Sequence, residues 1–136
     1  MFGNITIMLD ELRKDRMMAR LLDDLEAGSD IGHYGRLIVA MIARHFLAEN
    51  ELVSLLAHDR DFPEEKARVM VREVIEAGYS PPKREKILEF QSRQDYPIIE
   101  NPDDPDVGNV YKDLRFPDEV YEHIEHYREQ KVAAER

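Results

Sequence analysis

Two histidines near the C-terminus, His123 and His126, are the side chains best suited by type to bind a metal ion. They lie among glutamates that include Glu119 and Glu122, and carboxylate–histidine clusters on facing helices ligate transition metals. The bundle-type motif, however, places a glutamate three residues before each histidine, and neither histidine has one. On a helix through this segment both histidines also fall at or beyond the edge of the apolar face. We therefore favour a solvent-exposed charged face and keep a carboxylate–histidine metal-binding protein as an alternative.

The other histidines lie where acid–base chemistry or simple packing would suit them. His45 lies in the most apolar part of the chain, and His33 lies at the start of the same segment, beside Tyr34. A buried histidine next to a carboxylate can act in catalysis. A histidine at the border of the core, with its ring nitrogens bonded to a backbone carbonyl or an acidic side chain, explains both positions more simply. His58 is predicted at a helix end, where its protonated form suits the helix dipole. We assign no catalytic residue to the chain.

The acidic segment 101–108 has the composition of a calcium-binding loop but not the required spacing. If Asp104 is taken as the first ligand, glycine stands at the fifth position and Arg115 stands where the bidentate glutamate belongs. Asp-Pro turns explain the same residues. We therefore predict turns here rather than a calcium site.

A pair of predicted helices between Pro63 and Arg93 contains the basic residues best placed to contact nucleic acid. The short turn between them, from Gly78 to Pro82, resembles that of a helix-turn-helix. Two prolines in the turn and the interspersed glutamates argue against that function, as does the net charge of −10. A nucleic-acid-binding accessory protein is therefore a second alternative. Its contact residues would be Arg68, Arg72, Lys83, Arg84 and Lys86.

Composition excludes several classes of site. The chain of 136 residues has no cysteine, so disulfides, thiol catalysis and cysteine-containing zinc sites are ruled out. It has no glycine-rich phosphate loop and no His-Glu-x-x-His motif, so we expect no cofactor. The longest apolar run, Leu37–Ala43, is far shorter than the roughly 20 residues that cross a bilayer. With no signal segment at Met1–Leu9, we expect a cytoplasmic protein that does not contact membranes.

The apolar residues recur at helical spacing through most of the chain. A first helix is predicted over 4–28, from a cap at Asn4 to Gly28, with an apolar stripe that shifts across the polar stretch 13–16. A second helix, capped by Ser29 or Asp30, extends to about residue 48. Its centre, Leu37–Ala43, is apolar on every face, so we expect it at the middle of the fold.

Three further helices are predicted before the amino-acid composition changes at residue 95. A short one follows Asn50, one runs from Pro63 to Gly78, and one begins at Ser80-Pro81 and reaches about Arg93. Residues 95–116 contain many prolines and aspartates together with regularly interleaved apolar residues. We interpret them as an ordered strap across the helices. A last helix is predicted over 117–131.

The sequence thus predicts a single all-α domain over 1–136 with five or six bundle-like helices. Its parts are the N-terminal helix 4–28, a helical core 30–94, the acidic Pro-rich strap 95–116 and the C-terminal helix 117–131. We expect a non-catalytic cytoplasmic protein-interaction or assembly module. Its partner would be another protein or a second copy of the chain, which would dimerise through the helix 5–25.

Overall fold

Seven α-helices and the start of an eighth form the regular structure of residues 2–122, the part of the chain that the computed structural model describes, with side chains from residue 5 onward. Six of the eight helices have at least seven residues. Residues 2–122 contain no β-strand. The all-α prediction is confirmed. None of these helices is both long enough and apolar enough to cross a membrane. The helices are α1 (Phe2–Leu12), α2 (Arg16–Glu26), α3 (Gly32–Ala43), α4 (Glu49–Leu56), α5 (Glu64–Ala77), α6 (Arg84–Gln91), α7 (Val110–Asp113) and α8, which begins at Asp118.

Helix α3 lies at the centre of the fold. Ile38, Val39, Ala40, Ile42 and Ala43 are fully buried, as expected for a helix that is apolar on every face. Helices α2, α4, α5 and α6 all pack against it. The core of the chain is therefore arranged around one helix, as the sequence predicts.

The predicted helix 4–28 is wrong as a single element, because it is divided into α1 and α2 at residues 13–15. Asp15 caps α2, and its carboxylate accepts a hydrogen bond from the N–H of Met18 at 2.9 Å. Arg13 turns back to form ion pairs with Asp23 and, at 3.2 Å, with Glu26. The polar stretch that displaces the apolar stripe is thus a break between two helices.

A residue distant in the chain caps α3. The sequence predicts Ser29 or Asp30 for this role, but the N–H of Tyr34 donates to the side-chain oxygen of Gln94 at 2.8 Å. The Gln94 amide nitrogen in turn donates to the carbonyl of Ile31 at 2.9 Å. Gln94 therefore joins the start of the strap to the first turn of the central helix.

Gly32 allows this close approach of Gln94. Its φ of +80° is a left-handed value that favours glycine, and a Cβ there would lie 2.5 Å from the Gln94 side-chain oxygen. The Asp30 carboxylate accepts a hydrogen bond from the N–H of Gly32 at 2.8 Å. Asp30 thus supports the turn that precedes α3, while Gln94 caps the helix.

Helices α5 and α6 are joined by an extended turn. Gly78 ends α5 in the left-handed conformation, with φ at 66°, as predicted. The sequence predicts that the next helix begins at Ser80-Pro81, but α6 begins at Arg84. The reason is local, because Pro82 disfavours helical geometry in the residue before it.

The strap over 95–116 is ordered and covers one side of the core. Its only helical turn is α7. The Arg84 guanidinium donates to the carbonyls of Val107 at 2.9 Å, Pro102 at 2.6 Å and Asp104 at 3.1 Å. These bonds satisfy carbonyls for which an irregular segment has no helical partner. The apolar residues that anchor the strap, all buried, are Ile98, Ile99, Val110, Leu114 and Phe116.

We expect Arg84→Ala to destabilise the fold by loosening the strap. The variant removes the donor to the Pro102 and Val107 carbonyls, whereas the Asp104 carbonyl keeps the Val107 N–H at 3.3 Å. The free energy of unfolding should therefore fall by about 2 kcal/mol. Urea denaturation measures this fall, and amide hydrogen exchange should quicken over residues 101–108. The matched control is Arg115→Ala at an exposed site, where we expect little change. Equal effects of the two substitutions would contradict the role given to Arg84.

Candidate functional site

A groove with an apolar floor opens between α3, α5 and α6. Helices α5 and α6 each pack on α3 and make little direct contact with one another. The space between them has a volume of about 1200 Å³. Its apolar floor consists of Leu37 and Met41 from α3, Met70 and Val74 from α5, and Phe90 from α6.

Aromatic packing fixes the position of α6 beside the groove. The Phe90 ring stacks on Tyr34 of α3, with 5.2 Å between ring centroids and 15° between planes. The Lys86 ammonium lies 5.1 Å from the Phe90 ring centroid. At one end of the groove Tyr79 is 52% exposed. A large aromatic side chain with this exposure is available for contact.

The rim of the groove is mainly acidic. Four glutamates and two lysines line it: Glu73, Glu76, Glu85, Glu89, Lys83 and Lys86. Glu89 is paired with Lys86 at 3.3 Å and with Arg93 at 3.1 Å. Within residues 2–122, Glu73, Glu76 and Glu85 are in no ion pair. The α5 side of the rim therefore presents negative charge, whereas on the α6 side Lys83 and Lys86 offset the two glutamates.

The five basic residues considered for nucleic-acid binding do not share one surface. Arg68 is paired with Glu64 at 3.0 Å, and Arg72 approaches Glu49 at 3.5 Å. Both arginines line a second depression, of about 720 Å³. Lys83 and Lys86 line the groove, and Arg84 binds the strap. Nucleic-acid binding stays a prediction, but no continuous basic patch among these five residues supports it.

The predicted metal site is described only in part. Glu119 and Glu122 are exposed in the first turns of α8, whereas His123 and His126 lie outside the described residues. Over 2–122 no three histidine, aspartate or glutamate side chains are grouped to hold a metal ion. The metal site therefore stays a prediction.

One aspartate of segment 101–108, Asp104, stabilises a turn, in agreement with the interpretation from spacing. The Asp104 carboxylate accepts hydrogen bonds from the N–H of Asp106 and from Arg16, each at 3.0 Å. These bonds and the Arg16 charge hold the pKa of the Asp104 carboxyl below its usual range. Its oxygens therefore stabilise the strap.

The apolar face that a homodimer through 5–25 requires is largely used within the chain itself. The methionines and leucines of α2 are all buried in the core, and in the part of α1 with described side chains Ile7 is an exposed apolar residue, at 53%. A dimer through this region stays a prediction, and α1 is the part with apolar surface available for it.

His45 lies beside a small cavity of about 210 Å³ between the end of α3 and the start of α8. Its ring packs edge-on against Phe116, with the centroids 5.7 Å apart. Burial, together with the charge of Arg44, lowers the pKa of the His45 imidazole to about 4. His45 is therefore neutral at physiological pH. It lies at the border of the core, as the sequence predicts, but its buried Nε2 has no hydrogen-bond partner among residues 2–122.

Asp15 is a titratable group that sequence reasoning missed. It is fully buried, and one of its carboxyl oxygens has no hydrogen-bond partner within 2–122. Burial raises the pKa of its carboxyl to about 7, with Asp113 of α7 adding to the rise, while the Met18 N–H and Arg16 oppose it. The three basic residues around Asp15 suggest a surface position. The sequence signal that identifies Asp15 is the helix-cap pattern, in which an aspartate directly precedes an apolar stripe.

We expect Asp15→Asn to stabilise the fold at alkaline pH. The pKa of the folded carboxyl lies above the reference value of 3.8, so the folded state binds more protons than the unfolded state between about pH 4 and pH 7. Stability therefore falls as the pH rises through this window. Asparagine keeps the cap without the charge, so the variant should gain about 1–2 kcal/mol at about pH 8 and nothing near pH 4.

Thermal and urea unfolding across this range measure the gain. Asp118→Asn, at an exposed site, is the control and should leave the pH profile unchanged. If Asp15→Asn changed stability by the same amount at every pH, the assignment of Asp15 as a buried acid would be wrong.

Comparisons of the chain with known proteins give no match: no protein family, no curated protein and no solved structure is similar to it. The candidate site is therefore defined by its own geometry. That site is the groove between α3, α5 and α6, with an apolar floor and an acidic rim.

Proposed function

We propose that this chain is a protein-interaction module whose groove binds the apolar face of an α-helix from a partner protein. The observation that supports this is the groove itself, about 1200 Å³ in volume, with Leu37, Met41, Met70, Val74 and Phe90 at its floor. Apolar concavities with a polar rim are typical of protein-binding surfaces. Methionine side chains adapt to different apolar partners.

The shape of the groove favours a helix. The groove lies between two helices that rest on a third, so a bound helix would add a further element to the packing around α3. Helix α5 has 14 residues, and at about 1.5 Å per residue it is roughly 21 Å long. That length accommodates several turns of a bound helix, whose side chains at i, i+3, i+4 and i+7 would contact the floor.

A neutral amphipathic peptide tests this proposal. The probe has 14 residues, like α5, with leucine on one face, glutamine elsewhere, and an internal cross-link that keeps it helical. We expect it to bind saturably in fluorescence anisotropy. Resonances of Leu37, Met41 and Val74 should shift in NMR spectra.

Ala77→Trp should block the groove, because an indole at this exposed lining position occupies the space of the ligand. We expect affinity for the leucine–glutamine peptide to fall at least about tenfold. Val69→Trp is the matched control, since Val69 lies on the same helix, is 58% exposed and lines the other depression.

The chain has no tryptophan of its own, so the emission of each new indole reports its surroundings. The proposal fails if the wild-type protein does not bind the peptide, or if both tryptophan variants lose affinity equally.

A further inference from the structure

We infer that the helix bound in the groove has basic residues along the flank of its apolar face that lies against α5. This inference rests on the proposed function and specifies the chemistry of the partner. The groove supplies the contact area, and the carboxylates of its α5 wall discriminate between partners. Glu73 and Glu76 lie on the α5 wall, and Glu85 and Glu89 lie on the α6 wall.

The glutamates on each wall are spaced to meet one side of a helix. Glu73 and Glu76 are three residues apart, and Glu85 and Glu89 are four apart, so each pair repeats at about one helical turn. A helix between the walls presents residues at the same interval along each flank. Lysine or arginine at those positions can lay its aliphatic stem on the apolar rim while its charge reaches a carboxylate.

The lysines of the groove do not cancel the charge of the α5 wall. Lys86 is engaged with Glu89 at 3.3 Å. With Lys83 included, the rim has four glutamates and two lysines. Within 2–122 the carboxylates of Glu73, Glu76 and Glu85 are in no ion pair. A partner with a basic flank against α5 neutralises Glu73 and Glu76, whereas an acidic flank there adds repulsion.

The ion pairs at the rim contribute less to the binding free energy than the apolar floor does. An exposed ion pair contributes only about 0.2–1 kcal/mol, so the apolar floor supplies most of the affinity. Several pairs together distinguish basic from acidic helices, and the net charge of −10 accelerates encounter with a basic partner.

The other occupants fit the charge less well. Helix α1 of a second copy is apolar but has Asp10 and Glu11 near its end, which would face the acidic α5 wall. The phosphate backbone of a nucleic acid would meet the same repulsion. The groove therefore favours a basic amphipathic helix of another protein.

Three cross-linked peptides of 14 residues, the length of α5, test the inference. They share one leucine face and have lysine, glutamine or glutamate on the flanks. We expect the lysine peptide to bind tightest and the glutamate peptide weakest, with at least a tenfold ratio between them at low salt. The ratio should shrink as salt screens the charges.

Two double variants separate the charge of the groove from that of the whole chain. Glu73→Gln with Glu76→Gln should reduce the lysine-over-glutamate ratio about threefold or more. The control, Glu65→Gln with Glu122→Gln, removes the same charge from exposed sites that do not line the groove, and it should leave the ratio nearly unchanged. Equal effects of the two double variants would overturn the inference.

The outcomes distinguish this inference from the proposed function. If the glutamine peptide binds but all three peptides bind equally, the basic flank is wrong and the helix-binding groove stands. If none of the peptides binds, both fail. Groove resonances that shift with protein concentration alone would identify a second copy as the occupant. Groove resonances of the protein without peptide that shift when an RNA duplex is added would identify nucleic acid. Either result would overturn the inference.

Discussion

The structure depends on one constraint, which is that α3 is apolar on every face and must be covered on every side. A single helix cannot meet that demand, because a neighbour covers only the stripe that faces it. Helices α2, α4, α5 and α6 therefore surround α3. Among residues 2–122 the groove is a place where this cover is incomplete, since Leu37 and Met41 of α3 form part of its floor. The candidate binding site thus follows from the apolar surface of the central helix.

Side chains that look like surface charges hold the irregular part of the chain in place. Backbone carbonyls in a segment without helical bonds need donors from elsewhere. Arg84 donates to carbonyls of Val107, Pro102 and Asp104, and Arg20 donates to those of Pro97 and Ile98. Long basic side chains reach from helices to the strap and satisfy these groups. Arg20 and Arg84 are therefore part of the architecture.

Periodicity predicts the features that depend on local sequence, whereas the predicted caps at Asn4 and Asn50 are wrong because both residues lie inside helices. Local patterns identify α3 as the centre, Gly78 as the end of α5, and the ordered strap. They do not identify the break at Asp15, because a shifted apolar stripe is compatible with either a bend or a new helix. They also miss the Gln94 cap, whose donor, the N–H of Tyr34, lies 60 residues away in the chain.

The sequence does not predict the groove, for a related reason. Helical spacing shows which residues turn inward, but it does not show whether two neighbours of α3 meet above them. The residues of the floor therefore look like ordinary core positions. The candidate nucleic-acid contacts illustrate the converse, since Arg68, Arg84 and Lys86 are close in sequence but belong to different surroundings. Only the packing of α5 and α6 separates them.

The cap from Gln94 has a consequence for how the chain is made. On the ribosome, α3 emerges long before residue 94, so its first turn then lacks its partner. Helices α4, α5 and α6, which cover α3, are made before residue 94, so the Gln94 cap comes after the helices that bury α3. Closure of the first turn of α3 therefore waits until synthesis has reached the residue that precedes the strap.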